Sequence, residues 1–79
     1  DYVTMSVNVW PNPATSTINV SGENIDAVYM YNAVGQLVLT LDASEETSTI
    51  DVSGFNDGIY FLNVISENGK SALKKIVIN

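Results

Sequence analysis

The sequence predicts an all-β fold, a sandwich of two antiparallel sheets made from seven short strands. Two stretches, Thr17-Ile18-Asn19-Val20-Ser21 and Thr49-Ile50-Asp51-Val52-Ser53, alternate polar with apolar residues. At period two this puts Ile18 and Val20, and likewise Ile50 and Val52, on one buried face. Further runs rich in Val, Ile, Tyr and Phe recur at roughly 8 to 12 residue spacing, the rhythm of a sandwich. No helix can be built, since Ser44-Glu45-Glu46 is too short to nucleate one and sits among Ser and Thr. A small open barrel is the alternative closure for the same strands.

In chain order, residues 7–10 form a first strand, stopped by Pro11-Asn12-Pro13, where two residues lack a backbone donor. The alternating run 17–21 follows and ends at Gly22-Glu23-Asn24. Residues 27–31 are β-rich and lead into turn residues 32–35. Strand 37–41 precedes the acidic stretch 42–46, and the second alternating run, 49–53, comes next. After turn residues 54–58 come strand 59–65, the Asn68-Gly69 turn and strand 73–78. Asn-Gly tolerates two positive φ angles, so a type I′ hairpin is expected there, with strands six and seven antiparallel. Ile18, Val20, Val28, Ile50, Val52, Tyr60, Leu62 and Val64 are the expected inward residues. Gly58-Ile59-Tyr60-Phe61-Leu62 has the Gly-x-Tyr-x-apolar pattern that starts the sixth strand of immunoglobulin-like sandwiches, where the Tyr hydroxyl ties down a corner. The predicted fold class is therefore an all-β, seven-stranded antiparallel immunoglobulin-like β-sandwich.

Composition narrows the chemistry. The chain has 79 residues with no Cys and no His. A chain of this size buries roughly 60–65% of its unfolded surface, enough for one modest core, so residues 1–79 are expected to be a single domain. Without His or Cys there is no ordinary base near neutral pH, no thiolate nucleophile, no disulfide and no zinc site of the Cys/His type. No enzyme activity and no cofactor are expected. A net charge of −6 argues against nucleic acid and anionic membranes as partners. Apolar runs such as Ile59-Tyr60-Phe61-Leu62 are far below the roughly 20 residues that span a bilayer. The chain opens Asp1-Tyr2 without an initiator Met or a basic-then-apolar leader, so the expectation is a piece of a longer product, with residues 1–6 the end of a linker.

Charge is segregated along the chain. All nine acids lie in residues 1–69, whereas Lys70, Lys74 and Lys75 are the only Lys or Arg residues and fall in the last ten. Lysine on an edge strand discourages sheet-to-sheet aggregation. The other reading is a docking strand: in residues 73–78 both faces carry a lysine and aliphatics, so either packing leaves aliphatic surface outward for a partner or for strand addition.

Trp10-Pro11-Asn12-Pro13-Ala14, residues 28–36, Ile50-Asp51-Val52-Ser53, residues 57–64 and Lys74-Lys75-Ile76-Val77-Ile78 together resemble, in order and over nearly the whole chain, the C-terminal sorting domain of the type IX (Por) secretion system of Bacteroidota. The chain departs from that pattern at Trp10, where Tyr or Phe is usual, and at Asn79, where many members end on Lys or Arg. The resemblance implies a non-catalytic, monomeric address at the end of an exported cargo. It implies that outer-membrane machinery, a shuttle barrel and a cysteine-protease sortase, recognises the domain, and that the sortase commonly removes it. It implies passage through the periplasm to the cell surface or the extracellular space. The residues it points to for partner binding are Gly58, Tyr60, Lys74, Lys75, Ile76, Val77, Ile78 and Asn79.

Other constellations have plainer explanations. Trp10, Tyr29, Tyr31 and Tyr60 could make a glycan-stacking platform, but aromatics are ordinary strand residues. A glycan-binding or structural accessory module of an extracellular enzyme is the alternative function. Asp51, Asn56 and Asp57 could offer oxygens to Ca²⁺ but lack the dense acid spacing of a calcium loop, and no metal site is expected. Asp42, Glu45 and Glu46 read as a solvated loop.

Overall fold

A computed structural model describes residues 6–42 and 47–79. Seven strands run in the order β1 (Val7–Trp10), β2 (Thr17–Gly22), β3 (Ile25–Asn32), β4 (Leu37–Asp42), β5 (Thr47–Asp51), β6 (Gly58–Ser66) and β7 (Ser71–Ile78). They form a three-stranded sheet, β1-β2-β5, and a four-stranded sheet, β4-β3-β6-β7. Every strand pair is antiparallel. The chain changes sheet between β2 and β3, between β4 and β5 and again between β5 and β6. Pairing of β2 with β5 and of β3 with β6 then closes an immunoglobulin-like sandwich. Among the described residues no helix is long and apolar enough to cross a membrane.

Period two builds the core. Ile18, Val20 and Ile50 from one sheet face Val28, Met30, Leu62, Val64, Ile76 and Ile78 from the other, all buried, with Val52 just beyond the end of β5. All eight residues expected inside are there. Tyr60 is the corner residue its motif promised: its hydroxyl donates to the Asn56 carbonyl at 2.8 Å, and Phe55 meets its ring edge-on at 5.9 Å.

Two local expectations are corrected. The fifth strand begins two residues earlier than its alternation predicts and stops at Asp51. The Asp51 carboxylate accepts both the Ser53 N–H (3.0 Å) and the Ser53 hydroxyl (2.7 Å), which turns the chain, while the Val52 N–H bonds to the Ser16 carbonyl at 2.8 Å. The β6–β7 hairpin is not type I′, because Asn68 does not have a positive φ; only Gly69 does, at 86°. The connection is a three-residue loop closed by a glycine in the left-handed region, with Gly69 N–H bonded to Ser66 C=O at 3.1 Å and Ser66 N–H to Lys70 C=O at 2.8 Å. The β3–β4 hairpin repeats the device with Asn32, Gly35 and Gln36. In each loop the first residue's side chain reinforces the turn: Asn32 Oδ1 accepts the Val34 and Gln36 amides, and Ser66 Oγ accepts the Lys70 amide. The segment Ser44-Glu45-Glu46, too short for a helix by its sequence, most of the acidic loop and the linker stretch before Ser6 lie outside the described residues.

Candidate docking strand at the C-terminal edge

The candidate residues converge on β7, the edge strand of the larger sheet. Its register against β6 pairs Gly58 with Ile78, Tyr60 with Ile76, Phe61 with Lys75 and Leu62 with Lys74. Alternation then sorts the strand. Ala72, Lys74, Ile76 and Ile78 face the other sheet, whereas Leu73, Lys75 and Val77 face outward. Ile76 and Ile78 are core residues, 0% and 1% exposed. Lys74 lies on the same face but is only half-buried, and Lys75 is exposed. Gly58 opens β6 with φ of 151°, a conformation L side chains rarely adopt, and so leads the chain into the Tyr60 corner.

The Pro-Asn-Pro segment, read from the sequence as a strand stop and as part of the family motif, bonds to the outer edge of β7. Asn12 Oδ1 accepts the Val77 N–H at 3.0 Å and Asn12 Nδ2 donates to the Lys75 carbonyl at 3.1 Å. Next, the Ala14 N–H bonds to the Val77 carbonyl and the Asn79 N–H to the Ala14 carbonyl, each at 2.8 Å, forming a parallel bridge between Ala14 and Ile78. An amide side chain between two prolines thus stands in for a strand's donor and acceptor, which neither proline could supply as a donor. Ala14 is fully buried beneath this contact. The local signal for Asn12 was only its place between two prolines; its partners lie more than 60 residues away.

The other candidates do not assemble. Tyr60 points into the core, Trp10 lies on β1 in the opposite sheet, and Tyr29 and Tyr31 lie half-buried on the outer face of β3, so the four rings form no common platform. Tyr31 instead neighbours Phe61 across strands. The Ser53 hydroxyl first, and then the Ser53 N–H, hold the Asp51 carboxyl below the usual carboxylate range, while the Asn56 carbonyl is engaged by Tyr60. Among the described residues no three acidic, His or Cys side chains gather as a metal cage.

Residues 8–79 match the family described as the secretion system C-terminal sorting domain. The chain is 34% identical over 76 residues to a beta-agarase D of Zobellia galactanivorans, covering 96% of this chain and 16% of that enzyme. It is 32% identical over 77 residues to an ulvan lyase of Nonlabens ulvanivorans, covering 94% of this chain and 14% of the enzyme. The chain therefore spans less than a fifth of the length of either enzyme. In three dimensions it is similar to a portion of PorZ, a surface component of the type IX secretion system of Porphyromonas gingivalis, with a TM-score of 0.79 at 19% identity over 92% of this chain and 11% of that one.

Proposed function

The chain belongs to the secretion-system C-terminal sorting domains, the family of the type IX (Por) system, and from that premise we propose that it is the non-catalytic address of an upstream cargo, read through its last strand. In this reading the folded domain travels through the periplasm with its cargo. Outer-membrane machinery, a shuttle barrel and a sortase, recognises residues 74–79 beside the Gly58–Tyr60 corner, and the sortase then removes the domain as the cargo reaches the cell surface or extracellular space. The chain acts as a single monomeric unit whose first six residues continue from the cargo. The observation that carries this reading is the position of the lysines: the chain's only cationic side chains sit on one edge strand and its hairpin, against a body with nine acids.

The test is Lys74→Glu combined with Lys75→Glu, which changes the net charge from −6 to −10, since each reversal removes one positive and adds one negative charge. Lys75 is exposed and Lys74 half-buried, so strand length, pairing and melting temperature should be nearly kept. Fused to a passenger in a type IX-competent bacterium, the double variant is expected to stay inside while the parent domain delivers its passenger. Normal delivery by the folded variant would return the lysines to edge protection.

One observation favours a second reading. Tyr29, Tyr31 and Phe61 share the outer face of the larger sheet, and relatives of this chain are named for agar and ulvan, so a glycan-binding accessory role is the alternative. Retention of the domain on soluble agar or ulvan, lost on Tyr31→Ala, would favour it.

A further inference from the structure

The outer edge of β7 is divided in two. Because both backbone groups of Val77 point away from β6, toward Asn12 and Ala14, odd-numbered residues of this strand direct N–H and C=O to the edge, and even-numbered ones bond to β6. The downstream half is closed: the Lys75 carbonyl, both Val77 groups and the Asn79 N–H are taken up by residues 12–14. The upstream half is open. Among the described residues, the N–H and C=O of Ser71 and of Leu73 and the N–H of Lys75 have no protein partner on the edge side, a run of roughly 14 Å at strand rise.

Leu73 stands at the centre of this open run, 67% exposed. Lys70 lies at its start, Lys74 on the inward face and Lys75 on the outward face. Edge protection alone does not explain the pattern, because the fold has three other edge strands and none carries a lysine. β1 has no charge, and β4 and β5 each hold one acid, at their last residue. A guard would also place charge, not leucine, at the middle of the free backbone.

We infer that residues 71–75 accept an extended acidic peptide segment as a fifth strand of the larger sheet. Backbone groups of the guest meet Ser71, Leu73 and the Lys75 N–H, and the residue opposite Leu73 is aliphatic, since it adds to the outer face beside that side chain. Its neighbours opposite Lys74 and Lys75 are Asp or Glu, one on each face. The nine acids of the body repel such a peptide everywhere else, so charge selects the edge as well as the partner. The inference rests on the sorting reading only for the partner's place in the secretion machinery.

The experiment titrates the chain with a synthetic peptide that carries Glu-Glu-Val-Glu-Glu, so that either strand direction sets valine opposite Leu73 and glutamates opposite Lys74 and Lys75, followed by backbone amide NMR. Amide shifts and new exchange protection should concentrate at Ser71, Leu73 and Lys75, and added salt should weaken binding. Leu73→Pro removes an edge-facing donor that β6 does not use, so the fold should hold while affinity falls by about tenfold. Should that variant not fold, Lys74→Glu with Lys75→Glu takes its place and should also lose binding. A peptide with lysine in place of glutamate should not bind. Shifts confined to Tyr29, Tyr31 and Phe61, undiminished binding by the variant that folds, equal binding of the lysine peptide, or self-association of the chain in place of peptide binding would each overturn the inference. A domain that delivers its passenger but ignores the acidic peptide overturns the edge inference and leaves the sorting reading intact. One that binds the peptide but fails to deliver does the reverse.

Discussion

Removing the Asn12 side chain tests how the last strand is held. Asn12→Ala deletes two hydrogen bonds, the acceptor for Val77 N–H at 3.0 Å and the donor to Lys75 C=O at 3.1 Å. At about 0.5 to 1.5 kcal/mol each, the pair contributes at most about 3 kcal/mol. Asn12 is exposed, so water can reach both freed groups, and the lower half of that range, about 1 to 2 kcal/mol, is expected. For a domain of this size that is a fall in Tm of roughly 4 to 16 °C. Asn12→Asp keeps the acceptor and loses the donor, so it should fall between the parent and the alanine variant. Circular dichroism melts give the sizes, and hydrogen exchange gives the place: Val77 N–H should lose protection before Ile76 N–H, which points toward β6. An alanine variant with unchanged Tm and a still-protected Val77 amide would refute the clamp.

Two further variants probe single devices. Gly69→Val should cost about 1 to 3 kcal/mol through its φ of 86° alone, because nothing lies within 4 Å of the added Cβ. Gly69→Asn should cost much less, since Asn visits that region; denaturant melts in which Val and Asn behave alike would assign the cost to something other than φ. Tyr60→Phe keeps the ring against Phe55 and loses only the bond to the Asn56 carbonyl, so about 1 kcal/mol is expected in the same assay; a loss several times larger would mean the ring itself had shifted.

The strands were legible because alternation is a local signal. Ile18, Val20, Ile50 and Val52 declare a face within five residues each, and Gly58-Ile59-Tyr60 declares a corner through one hydroxyl. The boundary of β5 was less legible: Val52 continues the alternation, is buried and still bonds to Ser16 in the register that pairs Thr17 with Asp51, yet the chain turns away there as the Asp51 carboxylate takes the Ser53 amide and hydroxyl. Asn-Gly admits two hairpin geometries, and the choice fell to Ser66, whose Oγ receives the Lys70 amide of the longer loop. For the candidate strand, the sequence located the lysines but could not say that Lys74 faces inward and Lys75 outward, which follows from the buried Ile76 and Ile78 two and four residues beyond Lys74. The Asn12 contact had no periodic signature at all, being one side chain meeting the far end of the chain.

The split of β7 bears on what a receptor can sense. Ile76 and Ile78 are core, so deleting residues 74–79 removes any address and the packing together, and loss of export in such a truncation would not tell one from the other. Reversing the two lysines separates them, because neither belongs to the buried core while the ladder to β6 runs through the backbone. If β7 is the address, the same division ties it to the fold. Residues 71–75 present their donors and acceptors in line only while β6 holds the even-numbered partners, and Asn12 and Ala14 confine the open edge to that half. In an unfolded chain Leu73 and the lysines are still present but the aligned edge is not. A receptor that binds by strand addition at this edge therefore discriminates folded domains from unfolded ones with no further device.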